Sequence, residues 1–155
     1  MRAEKAFCMK VILFDGVCNL CNGTVNWVIA RDIKNQFHFA SLQSPFGKQV
    51  LQNFGLADEY MNSIIFLDNN EIYMRSSAVL RILKHLGSFY QTAYVFILIP
   101  EFLRNAVYNF IAKNRYRWFG KKETCMVPTP KLKSKFIESS KFLMQKMVLC
   151  MLMAE

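Results

Sequence analysis

The segment KVILFDGVCNLC, residues 10–21, carries the clearest fold signal in the chain. Its first half is a nearly continuous apolar run that ends at Asp15, a pattern typical of a short strand covered on both faces in a parallel sheet. A helix over residues 18–31 should follow, because apolar residues recur there at three- and four-residue spacing. That stripe comprises Cys21, Val25, Val28 and Ile29 and leaves out Asn22 and Asn26. Cys18 and Cys21 therefore stand where a strand meets a helix.

The apolar pattern of the residues that follow predicts the rest of a small α/β domain. Ser44 and Pro45 begin a second helix, Gly55 ends it, and Ser76 or Ser77 caps a third. The predicted strands are at 37–42, 63–67 and 71–74, and the predicted helices after the first are at 44–55 and 76–87. The order strand-helix-strand-helix-strand-strand-helix is that of a minimal thioredoxin-like core, which we place at residues 8–88.

The remaining residues, 89–155, predict a basic α-helical extension that packs on the core as one structural unit. Helices are expected at 90–99 and 102–113 on either side of Pro100, followed by a basic loop and a last helix from Thr129-Pro130 toward Met153. The charge is uneven: residues 1–100 hold nine basic and seven acidic groups, whereas residues 101–155 hold eleven and four. Most of the net charge of +9 therefore belongs to the extension.

Length and composition narrow the class of protein. A chain of 155 residues fits one domain with an extension, and a domain of this size buries about 68–70% of its unfolded surface, so it needs no disulfide or metal to fold. The longest apolar stretches, 92–100 and 142–153, are too short to cross a bilayer. Without an export signal the predicted compartment is the cytoplasm, where cysteines stay reduced.

The spacing of Cys18 and Cys21 predicts a redox-active dithiol. A thiolate is the attacking species in disulfide exchange, and the positive end of a helix stabilises an anion at Cys18. Cys21 lies one turn further along, within reach of a disulfide with Cys18 but shielded from other thiols. Cys18 is thus the expected nucleophile and Cys21 the resolving thiol, with a mixed disulfide as the intermediate.

Other interpretations of these residues stay open. The cysteine pair could be half of a zinc site, although no second pair with ligand spacing exists, or two buried structural thiols. Asp15 could take a proton from Cys21 as a general base, or accept hydrogen bonds from the loop that follows it. ILFDGV also resembles the first motif of aspartate-nucleophile phosphatases, but Leu13 stands where that chemistry needs its aspartate. We therefore predict no bound metal and no cofactor.

Several motifs together resemble the DCC family of predicted thiol-disulfide oxidoreductases. They are FDGVCNLCNGTVNWVIARD at 14–32, FASLQSP at 39–45, RSSAVLRIL at 75–83 and NRYRWFGKKETCMVPTP at 114–130. The similarity covers roughly residues 10–137, and Asp15, Cys18 and Cys21 match the residues that name the family. The resemblance implies thiol-disulfide exchange. One feature departs from thioredoxin-like oxidoreductases in general, since Met61-Asn62-Ser63 stand where these commonly place a cis-proline that receives the substrate.

The motifs also suggest residues around the cysteine pair. Cys125 is a candidate accessory thiol, provided that it comes within about 7 Å of Cys18 between Cα atoms. Arg115 and Arg117 could attract an anionic thiol substrate, and the aromatic Trp118 lies between basic residues. Candidate pocket residues implied by the resemblance are Ser41, Gln43, Ser44, Arg75 and Ser76, with helix capping as the alternative role of the serines.

Two hypotheses follow. The first is a thiol-disulfide oxidoreductase whose substrate is a disulfide-containing protein or a low-molecular-weight thiol, without a nucleic-acid partner or a membrane span. The second is a non-catalytic thioredoxin-like binding module with structural or zinc-binding cysteines. Its basic surface would then bind an acidic partner or a nucleic acid.

Overall fold

The core follows the element order that the sequence predicts. The structure, a computed structural model, describes residues 9–56, 63–68, 71–124, 130 and 133–137. The core elements are β1 (Lys10–Phe14), α1 (Asn19–Arg31), β2 (Phe37–Ser41), α2 (Pro45–Asn53), β3 (Ile65–Asp68), β4 (Glu71–Met74) and α3 (Arg75–Leu86). The extension contributes a 3₁₀ helix (Ser88–Leu98), α4 (Glu101–Phe119) and a short 3₁₀ turn (Lys133–Lys135).

The four strands form one mixed sheet in the order β2-β1-β3-β4. Central strand β1 pairs in parallel with β2, where Ile12 lies opposite Phe39, and antiparallel with β3, where Ile12 lies opposite Phe66. β3 and β4 form the predicted antiparallel hairpin. This is a thioredoxin-like core followed by a C-terminal helical part, so the predicted fold class is confirmed.

The period-2 alternation of β1 divides the core between two faces of the sheet. Val11 and Leu13 pack with α2, whereas Ile12 and Phe14 pack with α1 and α3. All four side chains are almost completely buried. A continuous apolar strand is therefore required, because helices cover both of its faces.

Local signals succeed at α2 and fail at α3. The Ser44 hydroxyl accepts a hydrogen bond from the Gly47 N–H at 3.1 Å, so Ser44 caps α2 as predicted. The expected cap of α3 by Ser76 or Ser77 is wrong, because α3 follows β4 directly and Met74 occupies the N-cap position. Arg75 makes this abrupt turn with a positive φ of 53°.

The extension differs from its prediction in three places. Residues 88–98 form a 3₁₀ helix rather than an α-helix, and α4 continues to Phe119, so Arg115, Arg117 and Trp118 are helical rather than part of a basic loop. Residues 133–137 form a 3₁₀ turn and an extended residue: Phe136 bridges Phe39 beside β2, so no α-helix passes through them. The rest of the predicted last helix lies outside the described residues.

Tyr90 and Tyr108 are among the residues through which the extension contacts the core. The Tyr90 ring packs edge-on against Trp27, and its hydroxyl accepts a hydrogen bond from Arg31 at 2.8 Å. The Tyr108 hydroxyl accepts one from the Ile64 N–H at 2.9 Å. The division at residue 88 stays a prediction.

Within the described ranges, none of the individual helices has the length and hydropathy to cross a bilayer. Phe89–Leu98 and Glu101–Phe119 reach the required length and hydropathy only when they are taken together, and this pair of helices is bent by 118°.

Candidate active site

Cys18 and Cys21 lie at the start of α1, as predicted. Cys18 is the N-cap residue with an extended backbone, and its carbonyl accepts a hydrogen bond from the Asn22 N–H at 2.9 Å. Both cysteines are free. Their exposure is the reverse of the sequence expectation, because Cys18 is 0% exposed and Cys21 is partly exposed.

The end of α4 and the residues after it cover Cys18. The Lys122 N–H donates to the Val17 carbonyl at 2.8 Å, and Lys121 forms a β-bridge with Cys18. The Asn19 side-chain amide donates to the Phe119 carbonyl at 2.8 Å. Gly120, with φ at 80°, allows the chain to leave α4 in this direction. We call Gly120–Lys122 the covering segment.

Asp15 is buried beside the cysteines, and its carboxylate accepts four hydrogen bonds. Oδ1 accepts from the Gln43 side-chain amide at 2.8 Å and from the Val17 N–H at 3.2 Å. Oδ2 accepts from Arg115 Nη2 at 2.8 Å and from the Tyr116 hydroxyl. A carboxylate has about four sites that can accept a hydrogen bond, and these four donors fill them. The predicted bond from the loop, donated by Val17, is one of the four.

Arg115 brings a buried positive charge to the pair of cysteines. Its side chain is 4% exposed, and Nη1 lies 3.8 Å from Cys21 Sγ. Burial lowers the pKa of Arg115, but the nearby Cys21, Tyr116 and Asp15 outweigh it, and the pKa is raised overall. The guanidinium therefore stays charged, neutralises Asp15 and faces the Cys21 sulfur.

The protonation of Cys21 depends strongly on its surroundings. Burial, followed by the charge of Cys18 and the hydrogen bond to it, raises the pKa of the Cys21 thiol to about 12, although Arg115 opposes the shift. Burial and the hydrogen bond to Asp15 likewise raise the pKa of Tyr116 to about 12. Both groups are therefore protonated near neutral pH.

An apolar cavity of about 210 Å³ opens beside Cys21, between α1 and α4. Its lining includes Cys21, Arg115, Phe14, Ile64 and Tyr108. Ile64 stands just before β3, next to the position where the sequence lacks a proline. Its N–H is bonded to Tyr108, and its carbonyl accepts from the Arg75 N–H at 3.1 Å. Both of its backbone groups are thus already paired within the chain.

The remaining candidate residues divide into two groups. The Gln43 side-chain oxygen accepts from the Ser41 hydroxyl and from the Gly16 N–H, so these two side chains support the Asp15 loop. The Ser76 hydroxyl donates to Asn105 Oδ1 at 2.6 Å, and Ser76 is not among the residues that line the cavity beside Cys21. Arg117 and Trp118 are exposed, and the Trp118 ring packs on Phe110. Cys125 lies outside the described residues.

Two residues beside Asp15 and the cysteines, Tyr116 and Asn22, are not predicted from the sequence. The only sequence signal for Tyr116 is its place next to Arg115 in the RYRWFG motif. An aromatic residue between basic ones is equally typical of packing or of base stacking, so this signal does not assign Tyr116 to the site. The sequence pattern places Asn22 outside the apolar stripe of α1, but its side chain is buried. Its amide donates to the Gly16 carbonyl at 3.0 Å. In the described part of the chain, no three His, Cys, Asp or Glu side chains lie close enough together to hold a metal ion.

Comparisons with known proteins show which family the chain is similar to. The model of the DCC1-like thiol-disulfide oxidoreductases matches residues 12–121. The chain is 43% identical over 128 residues to the uncharacterized protein YuxK of Bacillus subtilis, covering 83% of this chain and 93% of that protein. It is 40% identical over 116 residues to a chloroplastic DCC family protein of Arabidopsis thaliana, covering 74% of this chain and 67% of the relative.

No solved structure matches the chain significantly. The family match covers most of the chain, including Asp15, Cys18, Cys21 and Arg115, and both relatives are similar over more than two thirds of their own length. This chain belongs to the DCC1-like thiol-disulfide oxidoreductase family.

Proposed function

We propose that the protein exchanges disulfides through Cys18 and Cys21. The supporting observation is the arrangement at the start of α1, where Cys18 is the buried N-cap residue and Arg115 Nη1 lies 3.8 Å from the Cys21 sulfur. A helix N-terminus favours an anion at Cys18, and the raised pKa keeps Cys21 protonated. The substrates are disulfides or thiols, the classes that the family name implies.

The reaction proceeds in two displacements. The Cys18 thiolate attacks one sulfur of the substrate disulfide, forming a mixed disulfide and releasing the other sulfur as a thiolate that takes up a proton. Cys21 then attacks Cys18 Sγ, the Cys18–substrate S–S bond breaks, and the proton of Cys21 passes to the second substrate sulfur, which leaves as a thiol. Two electrons pass from the dithiol to the substrate, and an intramolecular Cys18–Cys21 disulfide remains. The same steps in reverse oxidise a substrate dithiol.

Arg115 would assist the second displacement by stabilising the Cys21 thiolate as it forms. Asp15 would hold Arg115 in place rather than accept the proton, because donors occupy both of its oxygens. Of the two roles considered for Asp15 from sequence, accepting hydrogen bonds from the loop that follows it fits its bonding better than general base catalysis, and holding Arg115 is a further role.

Access to Cys18 requires a local movement. Its side chain is fully buried, and the covering segment is bonded to the backbone on either side of it. We propose that the covering segment moves away when a substrate binds. Direct attack by Cys21 on an outside disulfide is a less suitable entry, since its raised pKa keeps the thiol protonated and a protonated thiol is a poor nucleophile.

The test is a redox titration of the full chain in glutathione buffers, with the disulfide state determined by mass spectrometry. A Cys18–Cys21 disulfide should form within the accessible range of potentials, and its absence throughout that range contradicts the proposal. Reduction of a glutathione mixed disulfide should be abolished in Cys18→Ser, whereas Cys21→Ser should accumulate the mixed disulfide on Cys18. Activity that persists in Cys18→Ser would assign the chemistry to another residue.

Metal analysis of the reduced protein addresses the binding-module alternative. Stoichiometric zinc that is lost in both cysteine variants would favour that function over exchange.

A further inference from the structure

The extension exposes an unusually large amount of apolar surface. Twelve of the fourteen exposed large apolar side chains in the described residues lie between positions 89 and 119. The most exposed around the bend at Pro100 are Leu98 at 82% and Phe102 at 71%. A folded monomer rarely leaves so many neighbouring apolar side chains in water, and such a patch marks an interaction surface.

The exposed apolar residues share one side of α4. At about 100° per residue, Phe102, Leu103, Val107 and Phe110 fall within an arc of roughly 140°. Lys113 and Arg117 fall within the same arc, but they begin about 15 Å further along the helix axis from Phe102. The same side of α4 thus changes from apolar at its N-terminal half to basic at its C-terminal half.

An apolar groove continues this surface toward the core. The groove has a volume of about 400 Å³ and lies between α3, the 3₁₀ helix and α4, with Phe96, Ile99 and Leu103 among its lining residues. It shares Val79, Tyr108 and Ile111 with the cavity beside Cys21. The apolar surface and the cysteine pair therefore open on connected parts of the molecule.

Charge distinguishes between the partners that an apolar surface could have. Lys113, Arg117, Lys121 and Lys122 are all exposed, and the acidic residues between positions 101 and 124 are only Glu101 and Glu123. A second copy of the chain would bring this positive charge against itself. A lipid surface with anionic headgroups matches both the apolar and the basic half.

We propose that this elbow, defined as Leu98, Ile99, Phe102, Leu103 and Val107, inserts into the interface of an anionic lipid bilayer. Lys113, Arg117, Lys121 and Lys122 then contact the headgroup phosphates, and Trp118 lies at the depth that tryptophan prefers. Insertion is shallow, because Glu101 is exposed at the bend and stays hydrated. The proposal is independent of the disulfide chemistry.

The experiment measures sedimentation of the full-length reduced protein with phosphatidylcholine vesicles, with and without phosphatidylserine. We expect binding to the anionic vesicles that weakens in high salt, and at least tenfold weaker affinity for pure phosphatidylcholine. Leu98→Asp/Phe102→Asp should lower the affinity for anionic vesicles at least tenfold. Both positions are exposed, so the variant should keep its fold, which circular dichroism checks.

Ile33→Asp is the matched control, because Ile33 is 92% exposed but lies after α1, outside the elbow. It should bind as the unmodified protein does. In a Trp27→Phe variant, fluorescence from Trp118 should shift to shorter wavelength on binding. Cys18→Ser/Cys21→Ser should also bind normally, which separates this proposal from the redox function.

Three outcomes would overturn the proposal. They are no binding to anionic vesicles, binding that Leu98→Asp/Phe102→Asp leaves unchanged, and a dimer in solution that this variant disrupts and that does not bind vesicles.

Discussion

At the scale of single residues, Asp15 connects three parts of the chain. Its carboxylate accepts hydrogen bonds from the loop before α1, from Gln43 after β2, and from Arg115 and Tyr116 on α4. The ion pair with Arg115 joins residues 100 positions apart, and neither side chain is more than 4% exposed. A charge buried this deeply requires its partner, so the two residues should be energetically coupled.

Asp15→Asn should lower the free energy of unfolding by about 3–5 kcal/mol, because it leaves the Arg115 guanidinium buried without its counterion. Arg115→Met should have a similar effect, and the double variant should lose less than the sum of the two, by roughly 0.5–3 kcal/mol. Urea unfolding measures all three. Arg117→Met, two positions along on the exposed side of α4, is the control and should change stability by less than about 0.5 kcal/mol. Strict additivity would show that the two buried charges do not interact.

The raised pKa of Cys21 has a consequence for its titration. Thiolate absorbance should show Cys21 ionising near pH 12 in the folded protein, compared with 9.0 for an ordinary thiol. Because a serine hydroxyl at position 18 carries no charge and offers no thiolate acceptor, Cys18→Ser should move the pKa of Cys21 downward. Burial should still keep it above the ordinary value. A Cys21 that titrates with an ordinary pKa in the unmodified protein would contradict the described environment.

The same shift affects stability. The pKa of Cys21 is higher in the folded than in the unfolded state. The contribution of Cys21 to the free energy of unfolding is therefore fully present below about pH 9 and is lost as the pH rises toward 12.

At the scale of elements, the covering segment is bonded to the backbone on either side of the buried Cys18, and we propose that it controls access to this thiol. Its backbone bond from the Lys122 N–H to Val17 holds it over the loop, and the Lys122 side chain is exposed. The end of α4 therefore acts on Cys18 through main-chain contacts rather than through a side chain.

Lys122→Pro removes this N–H while the residue before it stays extended, as a proline requires. Losing one hydrogen bond of about 1–1.4 kcal/mol should raise the rate of Cys18 alkylation by fivefold to tenfold. Iodoacetamide labelling followed by tandem mass spectrometry measures the rate separately for Cys18 and Cys21. Lys122→Ala keeps the N–H and should label as slowly as the unmodified chain. Equal rates in the two variants would mean that this bond does not limit access.

Elements with local signals could be predicted from the sequence, and those that depend on distant contacts could not. Ser44 and Pro45 fix the start of α2 through a cap within the same turn. The start of α3 at Arg75 follows instead from the position of β4, so the nearby serines are misleading. Cys18, Cys21 and Asp15 are close in sequence and can be identified together. The covering segment and Tyr116 reach them only through the fold, so their part in the site could not be derived from spacing.

At the scale of the whole molecule, charge and apolar surface are both concentrated in the extension. Residues 1–100 carry nine basic and seven acidic groups, whereas residues 101–155 carry eleven basic and four acidic groups. The same extension supplies Arg115 to the buried site and most of the exposed apolar side chains. One helix, α4, thus supplies Arg115 to the proposed active site on one side and presents the proposed lipid-binding surface on the other.

The core and the extension should therefore unfold together. Each contains one of the two tryptophans, Trp27 on α1 and Trp118 near the end of α4. The variants Trp118→Phe and Trp27→Phe each keep one tryptophan. In each variant, the fluorescence of that tryptophan should follow the same urea transition as circular dichroism. The reason is that the Asp15–Arg115 ion pair and the bond from Arg31 to Tyr90 join the two parts. Comparing each probe with circular dichroism of the same variant removes the effect of the substitution itself. A Trp118 transition at lower urea than the loss of secondary structure would show that the extension separates first and that the ion pair does not make the two parts cooperative.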